Sequence, residues 1–281
     1  MNVRIVIDST ADVTDEVRSA CTVVPLTVIF GETEYLDGVT LTHREFYEKL
    51  IESDELPTTS QASPAAFGEV FRAAVEAGDS VVALTISSRL SGTCQSAMLA
   101  AEEFPGKVFV VDSRSVAIGT GILAARALEL AAAGLSAQEI AAKLEEERER
   151  VHVLALLDTL EYLKRGGRIS KTVAFAGGML SIKPVVSLRD GAVELLGKAR
   201  GSKQGNNLLV REIQTAGGVD FSMPLLLGYT GLSDTLLQKY IRDSAFLWES
   251  QREELHTTVI GSAVGTHVGP GAVAVAFFRN I

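Results

Sequence analysis

The chain has 281 residues, of which 47% are hydrophobic and 22% charged, and this length predicts two domains or one large α/β unit. The composition excludes long disordered stretches, and the formal net charge of −9 argues against nucleic acid as the main partner. The two cysteines, Cys21 and Cys94, lie far apart and have no partner motif, which excludes a disulfide framework and a thiolate metal site.

The longest apolar stretches, such as residues 153–157 and 272–278, fall short of the ~18 residues that a membrane-spanning helix needs. The first eight residues reach an acidic side chain too soon for a signal peptide. We therefore expect a cytoplasmic protein with no stable membrane insertion.

The first half of the chain alternates between strand and helix patterns. Short β-branched runs, apolar enough to be covered on both faces, predict parallel strands at residues 3–7, 23–30, 81–86 and 108–111. Helix-start signals lie between them. These signals are the capping boxes Thr42/Glu45 and Ser136/Glu139 and the N-cap followed by proline, Ser63-Pro64. This alternation is typical of a doubly wound parallel sheet.

The pattern changes from about residue 152. A helix at residues 159–165 is predicted to end at Gly166-Gly167, and strands at residues 183–188 and 192–196 flank Asp190-Gly191, which is a hairpin-turn signal. We therefore predict an α/β protein with an N-terminal doubly wound parallel-sheet domain at residues 1–152 and a C-terminal mixed-sheet α/β domain at residues 153–281.

Hydroxyl-bearing residues follow three of the predicted strands, at residues 8–12, 85–93 and 112–115. Single Ser and Thr residues at such positions are usually helix caps. Several of them at the carboxyl edge of one parallel sheet indicate a ligand site, because ligands bind at that edge. Ser91-Gly92-Thr93, which precedes a helix, offers hydroxyl and backbone N–H donors that suit a carboxylate or a phosphate.

Several catalytic signatures are absent from the sequence. It has no G-x-x-x-x-G-K-[ST] loop and no G-x-S-x-G elbow. Residues 119–124 match G-x-G-x-x-A, but we interpret them as small residues that pack a helix against the sheet. The four histidines, at positions 43, 152, 256 and 267, are dispersed, so we expect no metal site and no resident cofactor.

Residues 161–212 contain ten Lys or Arg and four Asp or Glu. This basic segment fits either a solvated face or a site for an anion or an acidic partner. Gly166-Gly167 before Arg168 would present a guanidinium from an exposed turn. His267 lies beside the turn Gly269-Pro270-Gly271, where a fixed imidazole could donate to an anion or merely cap its own loop.

A set of motifs, in order along essentially the whole chain, resembles the DegV family. These motifs are Asp8-Ser9-Thr10-Ala11-Asp12, Thr59-Ser60-Gln61, Ser91-Gly92-Thr93, Asp112-Ser113-Arg114-Ser115, Lys164-Arg165-Gly166-Gly167-Arg168, Ser181-Ile182-Lys183-Pro184 and His267-Val268-Gly269-Pro270-Gly271. The resemblance implies a protein that binds a long-chain fatty acid in an interdomain tunnel. It also implies a subunit, without catalytic activity of its own, that presents the carboxylate to a separate ATP-dependent fatty acid kinase for conversion to acyl phosphate.

The resemblance also implies roles for individual residues. Thr59 and Ser91 would hold the carboxylate, and Ser60, Gly92, Arg168 and His267 would complete the head-group site. A separate expectation rests on charge and on the missing phosphate-cradling loop, not on the resemblance: Arg168, Arg200 and His267 would contact the partner or the phosphate.

Two other classes stay open at this stage. One is a sensor or transport protein for another lipid-like carboxylate, with no kinase partner, which the identity of the bound ligand would distinguish. The other is an enzyme that acts alone, for example an acyl or phosphoryl transferase using Ser91 and His267, which would show turnover as purified protein.

Overall fold

The computed structural model describes residues 2–53, 55–170, 182–248 and 255–281. Lys171 and Ser181, which belong to the basic segment and to one motif, lie outside these ranges. The strands are β1 (Val3–Asp8), β2 (Thr22–Val24), β3 (Thr27–Phe30), β4 (Thr33–Leu36), β5 (Thr58–Ser60), β6 (Ser80–Thr85), β7 (Val108–Asp112), β8 (Val151–Leu156), β9 (Ile182–Arg189), β10 (Ala192–Arg200), β11 (Leu226–Tyr229), β12 (Thr257–Val259) and β13 (Val273–Phe278). The α-helices are α1 (Asp15–Ala20), α2 (His43–Glu52), α3 (Pro64–Glu76), α4 (Thr93–Ala101), α5 (Ile118–Ala132), α6 (Ala137–Glu147), α7 (Glu161–Arg165), α8 (Gly201–Thr215), α9 (Thr235–Asp243), α10 (Ala245–Trp248) and α11 (Ser262–Val268).

The first sheet has the order β2-β1-β6-β7, and all of its strands are parallel. Both faces are buried, as the continuous apolar runs predict. Along β1, Ile5 and Ile7 pack into the cluster that contains α5 and α6, whereas Val6 packs with α3 and α4. Because side chains alternate along a strand, one short run supplies two cores, and the doubly wound prediction is confirmed.

The predicted strand at residues 23–30 is wrong in part, because this run forms two strands in different sheets. β2 joins the parallel sheet, whereas β3 lies between β4 and β5 in a small antiparallel sheet. Pro25 stands between the two strands. Proline has no N–H to donate to a sheet ladder, so the parallel pairing ends there.

The second sheet has the order β10-β9-β8-β13-β11-β12 and is mixed, since only β11 and β12 pair in parallel. The predicted mixed sheet is therefore confirmed. Strand β8 is the first strand along the chain that belongs to this second sheet. The domain limits 1–152 and 153–281 stay a prediction. Helices α8 and α9 pack in the cluster on one face of this sheet.

Helix α5 lies between the two sheets and makes contacts with β1 and β6 on one side and with β8, β11 and β13 on the other. A Cβ atom at Gly119 would lie 2.2 Å from Val153 Cγ2 of β8, and one at Gly121 would lie 2.0 Å from the backbone oxygen of Asp12. These contacts confirm that the small residues of the G-x-G-x-x-A match serve close packing.

The local signals predicted from sequence are present at the expected positions. Thr42 and Ser136 form capping boxes at the starts of α2 and α6, and Ser63 caps α3. The turn between β9 and β10 has φ of 49° at Asp190 and 77° at Gly191, as a type I′ hairpin requires.

Within the described ranges, none of the helices combines the length and apolarity needed to span a bilayer.

Candidate functional site

The loops at the carboxyl edge of the parallel sheet are held together by a buried carboxylate. One oxygen of Asp8 accepts hydrogen bonds from the backbone N–H (2.9 Å) and the hydroxyl (2.5 Å) of Thr10, and the other accepts from the N–H of Ile86 (2.7 Å). Burial raises the pKa of Asp8 above its ordinary range, while the bonds from Thr10 and Ile86 lower it. Asp8 therefore ties the loop after β1 to the loop after β6.

A cavity of about 390 Å³ opens beside these two loops, a volume within the usual range for small-ligand sites. Its polar lining consists of Thr10, Thr59, Ser60, Gln61, Ser91, Gly92, Arg168 and His267. Its apolar lining consists of Leu26, Ile86, Leu90, Val116, Leu163, Val193, Ala263, Val264 and Val268. Ser60, Gln61 and Gly92 are exposed, whereas Leu26 and Val264 are buried. The exposed part of the lining is therefore polar, and the buried part is aliphatic apart from Thr10.

The structure brings together all six residues predicted for the head-group site, since each of them lines this cavity: Thr59, Ser60, Ser91, Gly92, Arg168 and His267. That they hold a carboxylate stays a prediction. Arg200, predicted to contact a partner or a phosphate, does not line the cavity. It is an exposed residue at the end of β10, where its backbone N–H donates to Gln204 Oε1 (3.0 Å).

Thr59 and His267 form a direct pair, although they are 208 positions apart in sequence. Thr59 lies on β5 opposite Val28, and His267 lies in the last turn of α11. The distance between Thr59 Oγ1 and His267 Nε2 is 2.8 Å. Burial, and secondarily the charge of Arg168, lowers the pKa of His267 to about 4, so the imidazole is neutral at pH 7.

The neutral imidazole carries one proton, and its surroundings decide which nitrogen holds it. Nδ1 is buried and has no hydrogen-bond partner among the described residues. A proton on Nδ1 would be a buried donor without an acceptor, whereas a proton on Nε2 is donated to Thr59. We therefore assign the Nε2–H tautomer. Because Thr59 Oγ1 then accepts from His267, its own hydroxyl proton is available to a ligand.

Ser91 has the same freedom at the other side of the cavity. Its hydroxyl oxygen accepts from the backbone N–H of Thr93 (3.3 Å) and lies 2.9 Å from Thr93 Oγ1. When the Thr93 hydroxyl donates to Ser91, the Ser91 proton can point to a ligand. A Cβ at Gly92 would lie 2.0 Å from Gln61 Oε1, so the backbone here approaches the Gln61 side chain closely.

Arg168 supplies positive charge to the polar end. Its Nη1 donates to the backbone oxygen of Gly166 (2.6 Å) and its Nε to that of Leu90 (3.3 Å), which fixes the guanidinium between two loops. Among the described residues that line the cavity, Arg168 is the sole permanently charged side chain, because His267 is neutral at pH 7. A single positive charge beside free hydroxyl donors suits a monoanion such as a carboxylate.

The sequence alone missed Thr10 and Gln61 as lining residues. Thr10 belongs to the hydroxylic segment after β1, and Gln61 follows Thr59 and Ser60 directly, so both carried a usable signal. The aliphatic lining residues carried no such signal in the sequence, because they come from separate elements of the chain.

Within the described residues, no group of three His, Cys, Asp or Glu side chains is placed to hold a metal ion.

The pairing of His267 also bears on stand-alone catalysis. An enzyme that uses Ser91 as nucleophile needs a base in contact with it and a third group that orients the base. The described contact of His267 Nε2 is with Thr59, and Nδ1 has no orienting partner in the described part of the chain. Among the described residues, these contacts are therefore not those of a Ser91–His267 catalytic triad.

The sequence and the fold of this chain are similar to those of known proteins. Residues 2–280 match the family described as "Uncharacterised protein, DegV family COG1307". A DegV domain-containing protein of Deinococcus radiodurans is 38% identical over 282 residues, which covers 98% of each chain. A fatty-acid-binding DegV family protein from Thermus thermophilus has 36% identity and a TM-score of 0.88, with 100% of both chains covered. A stearic-acid-binding protein from Eubacterium ventriosum has 28% identity and a TM-score of 0.84, with 99% of this chain and 98% of the other covered.

Proposed function

This chain belongs to the DegV family, and from that premise we propose that it binds one long-chain fatty acid in the cavity between the hydroxylic sheet edge and helix α11. The observation that carries the proposal is the composition of this cavity. Its outer end combines free hydroxyl donors with one guanidinium, and its interior is aliphatic. A carboxylate with a long apolar tail matches both parts.

In the proposed complex, Thr59 and Ser91 donate their hydroxyl protons to the carboxylate. Ser60, Gly92, Arg168 and His267 complete the head-group site, with His267 acting through Thr59. The tail contacts apolar side chains such as Leu26 and Val264. Each methylene removed from water stabilises the complex by about 0.8 kcal/mol before ordering costs, so a tail of palmitoyl size contributes on the order of 11 kcal/mol.

We further propose that the carboxylate is phosphorylated by a separate protein. The sequence holds no phosphate-cradling loop, so a partner must bring ATP to the outer end of the cavity. Arg168 and His267 line the cavity, and Arg200 would contact the partner elsewhere on the basic segment. The protein itself would then be the ligand-presenting subunit of a fatty acid kinase, located in the cytoplasm.

The binding proposal is tested by mass spectrometry of the material released when purified protein is denatured. We expect one long-chain fatty acid per chain and a higher melting temperature when stearic acid is added to delipidated protein. An extract that contains only nucleotides or sugars, together with an unchanged melting temperature, would contradict it. Detection of a different lipid-like carboxylate would favour a sensor or transport protein.

The kinase proposal is tested separately. Loaded protein is incubated with ATP and a candidate fatty acid kinase protein, and acyl phosphate is measured. Formation of acyl phosphate that requires both proteins supports the division of labour. Turnover by this chain alone would show that it is a complete enzyme.

A further inference from the structure

Helix α11 contributes Ala263, Val264, His267 and Val268 to the cavity, yet its N-terminus is not capped by its own side chains. The N-cap is Gly261, which has no side chain to accept a hydrogen bond. The first N–H groups of a helix have no partner within the helix, so buried ones need an acceptor from elsewhere.

Asp37 supplies that acceptor from 225 positions earlier in the chain. Its Oδ1 accepts from the N–H of Ser262 (3.1 Å), and its Oδ2 accepts from the N–H of Ala263 (3.3 Å). Asp37 is only 1% exposed, so its carboxylate is withdrawn from water and held by these donors. Asp12 adds a neighbouring contact, because its Oδ1 accepts from the N–H of Gly261 (2.8 Å).

The same carboxylate is also linked to a second segment that lines the cavity. Oδ2 of Asp37 also accepts from the Ser9 hydroxyl (2.9 Å), and Ser9 Oγ accepts from the N–H of Leu26 (3.0 Å). Leu26, which lies between β2 and β3, also lines the cavity. Asp37 therefore connects two walls that otherwise belong to separate elements.

We infer that Asp37 is a positioning residue for the ligand site: by holding the N-terminus of α11, it places His267, at the other end of that helix, against Thr59. The inference rests on the proposed function, since it concerns the same site. A helix rises about 1.5 Å per residue, so Ser262 and His267 are about 7.5 Å apart along one short rigid body. A shift of the helix by about 1 Å away from Thr59 would lengthen the 2.8 Å contact of His267 with Thr59 beyond hydrogen-bond range.

Helix α11 also packs closely against α2. A Cβ at Gly265 would lie 2.7 Å from Phe46 Cε1 and 2.7 Å from the Tyr47 hydroxyl oxygen, so the helix lies close against α2. The Tyr47 hydroxyl donates to the backbone oxygen of Ile260 (2.8 Å), just before the helix. The N-terminal end of α11 is therefore held by this packing together with the hydrogen bonds that Asp37 and Asp12 accept.

The test is Asp37→Asn in the full-length, delipidated protein, with Asp220→Asn as the matched control. An asparagine keeps the size of the side chain but has one acceptor oxygen, so it cannot serve all three donors. Asp220 is also a carboxylate that accepts several hydrogen bonds, from Arg150 and from Ser222, but it does not line the cavity. We expect affinity for stearic acid to fall about tenfold for Asp37→Asn and to stay within about twofold for Asp220→Asn.

A second readout separates positioning from a general loss of stability. In protein with labelled histidine, the titration of His267 is followed by NMR, with its signal assigned by His267→Gln. Two effects on the pKa of His267 have opposite signs. Loss of the negative charge at position 37 would by itself lower this pKa, whereas displacement of the His267 ring into water raises it from about 4 toward the ordinary value. We expect a clear rise for Asp37→Asn and a smaller rise for Ser9→Ala, the milder variant to use if Asp37→Asn does not fold.

A His267 titration that is unchanged or shifted downward in both variants would overturn the inference, and so would wild-type affinity in Asp37→Asn. Failure of the wild-type protein to bind stearic acid or any other fatty acid would contradict the proposed function instead. The His267 titration of ligand-free protein still decides the role of Asp37 in that case.

Discussion

Replacement of Thr59 by valine removes one hydroxyl and keeps the shape of the side chain. If the assigned tautomer is correct, this change has two effects. A bound carboxylate loses a donor, and Nε2–H of His267 loses the acceptor that lies 2.8 Å away. Thr59→Ser keeps the hydroxyl and is the matched control.

The expected loss follows from the energies of these contacts. A hydrogen bond to a charged group is worth about 1.5 to 3 kcal/mol, so affinity for stearic acid should fall roughly ten- to a hundredfold in Thr59→Val. The free energy of unfolding without ligand should fall by about 1 kcal/mol, because the part-buried Nε2–H of His267 loses its acceptor. Thr59→Ser should stay close to wild type in both quantities.

Isothermal titration of delipidated protein with stearic acid measures the affinity, and denaturant unfolding measures the stability. The two readouts separate a ligand contact from a structural one. If Thr59→Val lost stability but bound stearic acid with wild-type affinity, the head group would lie elsewhere and the assigned direction of the Thr59 hydroxyl would be refuted.

Further predictions concern Ser91, His267 and Arg200. Ser91→Ala should weaken stearic acid binding roughly ten- to a hundredfold. The control Ser63→Ala, which removes the N-cap of α3, should lower the free energy of unfolding by about 1 kcal/mol and leave the affinity unchanged. If Ser91→Ala instead lowered stability and left the affinity unchanged, Ser91 would be only a cap. The pKa of His267 lies below its ordinary value of 6.5 in the folded protein, so the unfolded chain binds more protons between about 4 and 6.5 and stability should fall as the pH is lowered through that window. His267→Gln should make this part of the pH profile less steep, while His43 and His152, whose pKa values burial also lowers, still contribute to it. An identical slope in the variant would contradict the buried neutral imidazole. Arg200→Ala should bind stearic acid as the wild type does, because Arg200 does not line the cavity. The variant should lose most phosphorylation by the partner kinase and the salt dependence of partner binding. Phosphorylation at the wild-type rate would show that Arg200 does not contact the partner.

The fold was predictable from the sequence wherever the deciding interaction is local. The capping boxes at Thr42 and Ser136 each depend on a residue three positions away, and the Asp190-Gly191 turn depends on its own backbone angles. The split of residues 23–30 was also signalled locally, because Pro25 interrupts the run. Apolar periodicity alone did not reveal it, since β2 and β3 are both apolar enough to be buried strands.

The candidate site was predictable for its polar residues and not for its geometry. The six residues that the family resemblance implied for the head group do line one cavity, but their partners come from distant parts of the chain. The contact of His267 with Thr59 and that of Asp37 with Ser262 span more than 200 positions. No periodicity or spacing encodes such contacts, which exist only once both sheets and α11 have packed.

The position of β13 has a consequence for the order in which the protein can be made. This strand pairs with β8 on one side and with β11 on the other, so it lies inside the second sheet rather than at its edge. Helix α11, which precedes it directly, carries one wall of the cavity. The ribosome must therefore synthesise residues beyond 273 before the pairing of the second sheet and the lining of the cavity can be completed. The strands of the first sheet, β1, β2, β6 and β7, can pair earlier. Until then the apolar edges of β8 and β11 are exposed, and the nascent chain passes through an aggregation-prone stage before it can retain an acyl ligand.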